Sequence, residues 1–314
     1  MKKCMISLLL LVITIDSFSQ LVATQVNLLP KVAAGRIVRI ENFPSKYVEA
    51  RNVDVWLPEG YSSTKKFPVL YMHDGQMLFD STNNWNHKEW QVDETASKLI
   101  MEKIVQPFIV VGIFNTGTKR HSDYFPQKPF ETFSTKQQDS IYNATRNNGN
   151  SIFSGKIQSD NYLKFIVTEL KPFIDSAYST LNNRENTFIA GSSMGGLISM
   201  YAICEYPNIF GGAACISTHW PGLFTLDNHA IPDAFLNYLK KNLPSPNNHK
   251  LYFDHGTKTL DAMYDQFQII ADKIITDGGY TVANFMTKVF EGENHSENAW
   301  AKRFDIPLVF LLKK

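Results

Sequence analysis

The chain has 314 residues, 44% of them hydrophobic and 19% charged, with a net charge of +1. That is the composition of a globular protein with a substantial core, and it excludes a disordered or low-complexity chain. A charge this close to zero supplies no global field toward nucleic acid or an anionic membrane.

Residues 1–19 read as a signal peptide. Lys2-Lys3 is a short basic start, residues 5–15 are an apolar run too short to span a bilayer, and Ser17-Phe18-Ser19 places small residues where a signal peptidase reads them. Cleavage is expected before Gln20, which makes the mature protein periplasmic or secreted, with no membrane partner. Cys4 precedes the apolar run and so is not a lipobox cysteine at its end. Residues 20–34 then form an N-terminal extension, and 35–314 a single domain. Cleavage leaves Cys204 and Cys215, both in apolar surroundings that favour buried free thiols over a disulfide. No Cys/His spacing suggests zinc, and no metal or cofactor is expected.

The elements follow in chain order. Residues 35–41 and 48–57 alternate in strand fashion and predict an opening antiparallel pair. A short buried strand over 68–72 is followed by a helix over 90–103. Residues 108–114 form a continuous apolar run, as a strand covered on both faces requires. A helix is predicted over 161–174, with Asp160 as its N-cap. Then come a strand over 186–190, a helix over 194–206, strands over 212–217 and 251–254, a helix over 262–276, a strand over 284–290 and a last helix over 296–312. Strands alternating with helices predict an α/β fold, a mostly parallel sheet with an antiparallel N-terminal pair and helices on both faces. Two long irregular stretches, 115–158 and 218–249, are of a length usually kept for function.

The strand over 186–190 runs into Gly191-Ser192-Ser193-Met194-Gly195-Gly196. This is G-x-S-x-G between a strand and a helix, which sets the central serine on a sharp turn with its hydroxyl projecting. Ser193 is therefore the candidate nucleophile. A serine needs a general base, and the base needs a group to hold its tautomer. Of the histidines after Ser193, His295 is the best placed, in a polar loop between the last strand and the last helix. The acid is expected to be Asp261, with Asp254 as the alternative: Asp261 follows the turn after the 251–254 strand, and Asp254 ends that strand. Backbone N–H donors for a developing oxyanion are expected from Met194 and from Gln76, with Met77 as the alternative, in the loop His73-Asp74-Gly75-Gln76-Met77.

These residues carry a resemblance. Tyr71-Met72-His73-Asp74-Gly75-Gln76, the Val110-Val111-Gly112-Ile113 strand, Gly191-Ser192-Ser193-Met194-Gly195-Gly196 and Asn294-His295-Ser296-Glu297-Asn298-Ala299-Trp300 occur in one order. Together they resemble the putative-esterase (esterase D-like) family of α/β-hydrolases, similar to feruloyl and acetyl xylan esterases and enterochelin-type esterases. The resemblance spans roughly 35–312. It implies the α/β-hydrolase fold and carboxylic ester hydrolysis through an acyl-enzyme, with Ser193 and His295 in the family's roles. One departure stands out: many feruloyl esterase relatives place the acid three residues after the glycine of the post-strand turn, where this chain has Thr259. Trp220, Tyr124 and Trp85 are expected to wall the substrate site. The expected partner is a small-molecule or carbohydrate ester. Siderophore-ester hydrolysis, acyl transfer on the same triad and non-catalytic glycan binding on the same fold are the alternatives.

Overall fold

The computed structural model describes residues 29–146, 148–227 and 229–313. The expected signal segment 1–19 and its cleavage site lie outside the described residues. Eight strands form one sheet: β1 (Arg36–Phe43), β2 (Arg51–Leu57), β3 (Val69–His73), β4 (Ile109–Ile113), β5 (Thr187–Ser192), β6 (Gly212–Ile216), β7 (Lys250–Gly256) and β8 (Phe285–Phe290). Their order is β1-β2-β4-β3-β5-β6-β7-β8. The β1–β2 and β2–β4 pairs are antiparallel and the rest parallel, as the opening pair and the later alternation predict.

β3, β4, β5 and β6 are buried at every position, which is why they read as unbroken apolar runs rather than alternating ones. Their side chains still alternate between faces. Tyr71, Val111 and Ile189 enter the core on one side, and Leu70, Met72, Val110 and Phe188 the core on the other. β3 lies between β4 and β5, so the chain reverses its direction of strand addition there. Such a reversal opens a crevice at the carboxyl ends of the strands. Both the Asp74 turn after β3 and Ser193 after β5 lie at that edge.

The helix Met194–Glu205 is buried at every residue but Glu205, so its apolar residues run all the way round. It packs on β5 and β6. Residues 31–34 dock beside the sheet: Lys31 N donates to Asp80 Oδ2 at 2.8 Å, and Trp56 Nε1 to the Ala34 carbonyl at 2.9 Å. Cys204 and Cys215 are free and buried, and burial pushes both thiols above their usual range.

Five expectations change. The helix expected over 161–174 runs from Ser159 to Ala177 with a π turn at Ile166–Leu170. Pro172 has no N–H for the residue four before it, and the wider turn accommodates that gap. Asp160 is not its N-cap; Gln158 holds that position, and the Asp160 carboxylate instead accepts the Tyr201 hydroxyl at 2.5 Å. The last helix is two, Glu297–Ala301 and Asp305–Leu312. The break turns Arg303 inward, where it is buried against Asp254. The stretch expected to be irregular over 218–249 contains the helix Ala230–Asn242, which buries Ile231, Phe235, Leu236 and Leu239. Pro232 sits in its first turn, where no backbone donor is required, and so does not break it. The 115–158 stretch likewise contains short helices at Arg120–Tyr124, Gln127–Glu131 and Thr135–Tyr142. No helix among the described residues is long and apolar enough to cross a membrane.

Candidate active site

Ser193 sits at φ 58° and ψ −123°, a backbone conformation that costs an L residue about 1–3 kcal/mol. The surroundings hold it there. Ser193 N donates to the Ile216 carbonyl at 2.9 Å, and its own carbonyl accepts from Leu197 N at 3.0 Å and His219 N at 3.2 Å. A Cβ at Gly191 would lie 2.8 Å from the backbone of Gly195, so the turn closes only with glycine there.

His295 lies in the loop after β8, with its side chain 12% exposed and its Nδ1 2.5 Å from Asp261 Oδ1. Its backbone N–H donates to Thr259 Oγ1 at 2.9 Å. Its ring meets Trp300 edge-on at 5.0 Å and Tyr264 at 5.8 Å. The second oxygen of Asp261 accepts from Gly256 N and from Ser217 Oγ, each at 2.6 Å. Burial pushes this carboxyl up, but the His295 bond and charge, Ser217 and Gly256 together outweigh burial and leave it below its usual range. A buried carboxylate kept ionised beside Nδ1 directs Nε2 of the imidazole toward the cleft as the free nitrogen.

Asp254, the alternative acid, is committed elsewhere. Arg303 binds it through Nε at 3.2 Å and Nη2 at 3.0 Å, and Tyr252 Oη donates to it at 2.8 Å. Burial holds its carboxyl above the usual range despite those partners. Of the two candidate acids, Asp261 contacts His295.

The turn after β3 presents the second wall. Asp74 is left-handed at φ 59°, and its carboxylate grips Arg120 Nε at 2.7 Å and Nη2 at 2.6 Å, with Asn115 Nδ2 at 2.7 Å. A Cβ on Gly75 would lie 2.4 Å from the Gly112 carbonyl carbon, so the turn presses directly on β4. Met77 N donates to the Asp74 carbonyl at 2.8 Å. That bond occupies the alternative oxyanion donor, while Gln76 and Met194 both line the cleft.

The cleft has a volume of 610 Å³ and contains Ser193, His295, Gln76 and Met194. Trp85 lines it and is 84% exposed. Trp220 and Tyr124, the other two expected walls, are fully buried. Trp220 stacks on Phe253 at 6.0 Å and donates to Gln268 at 2.9 Å. Tyr124 packs against His73 and Tyr162. Both rings find core partners, so they support the site from behind rather than face the cleft. A larger depression of 720 Å³, between the helices Ala230–Asn242 and Asp265–Asp277, contains none of these groups. Among the described residues, no group of three or more His, Cys, Asp or Glu could hold a metal ion.

Sequence reasoning missed Tyr264. Its phenol hydrogen-bonds the Nδ1 of His219 at 2.7 Å. Its backbone N–H donates to the Asp261 carbonyl at 3.0 Å. It therefore contacts both His295, through its ring, and Asp261. Ser217, which bonds Asp261, was missed as well. Neither has a local motif; each is recognisable only by what the fold places against it.

The profile of the family described as "Putative esterase" matches residues 46–305. The chain belongs to that family. Among curated members of similar sequence, the uncharacterized protein YbbA of Bacillus subtilis is 27% identical over 172 residues, which cover 54% of this chain and 58% of YbbA. The endo-1,4-beta-xylanase/feruloyl esterase of Xylanibacter ruminicola is 25% identical over 189 residues, 56% of this chain and 21% of that protein. Among solved structures, the CE1 ferulic acid esterase of Anaeromyces mucronatus, in complex with ferulic acid, superposes with a TM-score of 0.61 at 20% identity, covering 90% of this chain and 92% of the other. The shared architecture is the α/β-hydrolase fold. At the departure noted above, Thr259 accepts the His295 backbone N–H, and Asp261, two residues further along the 3-10 turn Thr259–Met263, is the carboxylate that contacts the imidazole.

Proposed function

We propose that this chain is an exported serine esterase that hydrolyses carboxylic esters through an acyl-enzyme, acting on acyl groups carried by carbohydrate. The observation that carries the reading is the 2.5 Å His295–Asp261 contact at a cleft that is also lined by Ser193, Gln76 and Met194.

In this reading His295 Nε2 takes the Ser193 hydroxyl proton as Oγ bonds the ester carbonyl carbon. The carbonyl oxygen becomes an oxyanion facing the Gln76 and Met194 N–H groups. Collapse breaks the bond to the alcohol, which leaves with the proton from His295. Water then repeats the steps in the deacylation, its proton passing through His295 and the acid being released. Asp261 stays ionised throughout and stabilises the imidazolium. A carbohydrate-linked acyl group is supported by the likeness to the xylanase/feruloyl esterase and by the exposed Trp85 ring at the cleft mouth. Export rests on the 1–19 segment alone.

The test is hydrolysis of p-nitrophenyl acetate and of acetylated and feruloylated xylo-oligosaccharides. Activity that survives Ser193→Ala sinks the proposal. Absence of labelling by a fluorophosphonate probe turns the reading toward non-catalytic glycan binding. Ester products appearing on an added sugar acceptor would mark acyl transfer instead of hydrolysis. N-terminal sequencing of the protein recovered outside the cytoplasm should begin at Gln20.

A further inference from the structure

A second pocket of 490 Å³ opens against the cleft and shares two side chains with it, Arg120 and Arg146. Its other lining includes Thr118, Asn150 and Ser151, and no Asp or Glu. The two arginines are held differently. Arg120 is locked in two parallel bonds to Asp74, and its guanidinium lies 5.2 Å from the centre of the Tyr124 ring. Arg146 lies over the Phe224 ring at 4.6 Å. It projects from a hairpin closed by its own N–H to the Asn150 carbonyl at 2.8 Å and by the Thr145–Ser151 bridge. Among the described residues, no carboxylate pairs with it. Burial and the neighbouring Arg120 charge both work against its protonated form.

Two guanidiniums lining one pocket, only one of them with a carboxylate, are an arrangement that an anion relieves. Fork-shaped donors suit a carboxylate in particular. Among the charged side chains that line the cleft, Lys88, Arg120 and Arg146 outnumber Asp74 and Glu297 by one. His121, which also lines the second pocket, adds none, because burial lowers its imidazole to about 3. The uncharged lining of the pocket supplies hydroxyl and amide donors and no competing acid.

We propose that Arg146, with Arg120 behind it, forms a carboxylate-binding subsite, and that the ester turned over at Ser193 has one negatively charged carboxylate group. The substrate half of this statement rests on the esterase reading above; the binding half does not.

The experiment therefore measures binding apart from turnover. Calorimetry on Ser193→Ala compares the monomethyl esters of succinate, glutarate and adipate with their dimethyl esters. The monoanion is expected to bind at least about tenfold tighter at one chain length, and raising salt from about 50 to about 500 mM should weaken only the charged ligand. Arg146→Gln in the same background should abolish the preference. Arg146→Lys, which keeps the charge and loses the fork, should retain part of it and shows that the hairpin still folds. Equal affinity for charged and neutral ligands at every length overturns the subsite, as does a preference that survives Arg146→Gln. On the active protein, kcat/KM for p-nitrophenyl hydrogen glutarate should exceed that for p-nitrophenyl butyrate, and Arg146→Gln should bring the ratio toward one. If neither ester is turned over, the esterase reading fails, and the binding comparison still decides the subsite.

Discussion

The Ser217 hydroxyl donates its one proton to Asp261 Oδ2 at 2.6 Å, while Trp300 Nε1 at 3.0 Å and Arg303 Nη2 at 2.9 Å donate to its oxygen. One donor and two acceptor positions are all that a hydroxyl has, so Ser217 is saturated. The two candidate acids thereby share a scaffold: Arg303 binds Asp254 at 3.0 Å and reaches Asp261 both through Ser217 and as a longer ion pair at 3.9 Å. Replacing either acid should therefore show a different kind of loss.

Asp261→Asn should lower kcat by about 10⁴-fold in protein that still folds, because an amide beside Nδ1 favours the wrong tautomer of His295. Asp254→Asn should instead cost the buried Arg303 its two charge-assisted bonds, leaving only the longer pair with Asp261, which destabilises by about 3 kcal/mol while kcat of the folded fraction falls far less. Steady-state kinetics and denaturant melts on both variants check this; the reverse pattern would return the acid to Asp254.

Gly75→Ala drives a methyl to within 2.4 Å of the Gly112 carbonyl carbon. The collision is with backbone in the sheet, so the turn has to move. Loss of one aimed oxyanion donor costs about 10²–10³ in kcat, and overpacking of this kind about 1–3 kcal/mol. The loss should appear in kcat rather than in KM for p-nitrophenyl acetate.

Tyr264→Phe removes the partner of the buried His219 Nδ1. His219 is neutral, since burial lowers its imidazole well below the usual range, and its Nε2 has no partner among the described residues. Losing the second nitrogen's bond should cost about 1–3 kcal/mol. His219→Phe removes both needs, so a double-mutant cycle should show a coupling of the same order. A cycle with no coupling would mean that the pair contributes nothing to stability.

Asp74 predicts a pH dependence. Burial pushes its carboxyl up, but the Arg120 charge and the bonds from Arg120 and Asn115 outweigh that and leave it below the usual range. A carboxyl whose folded pKa is depressed contributes stability above its unfolded value near 3.9, and loses it as pH falls through the folded value. Asp74→Asn should therefore be about 2 kcal/mol less stable than wild type at neutral pH. The difference should narrow as pH falls below about 4. Urea melts across that range provide the measurement.

Much of this protein was determined locally. The unbroken apolar runs of β3 to β6, the small residues around Ser193 and the polar loop holding His295 each have a period or a composition of their own. A strand buried on both faces and a turn that admits only glycine leave their mark within a few residues. The proposal of export is of the same kind, because it rests on residues 1–19 read as a string. What the tertiary structure decided are relations between residues far apart in the chain. Asp254, within β7, and Asp261, on the 3-10 turn after it, lie seven positions apart, and only the placement of Arg303 and His295 separates their roles. Trp220 and Tyr124 have the same polar-tipped rings as any pocket residue, and only the closing of the core around them turned them inward. Arg120 and Arg146 acquired a shared pocket because Asp74, 46 residues from Arg120 in sequence, binds one of them and leaves the other without a carboxylate. Charge compensation and burial depend on every neighbour in space, and no stretch of sequence contains those neighbours.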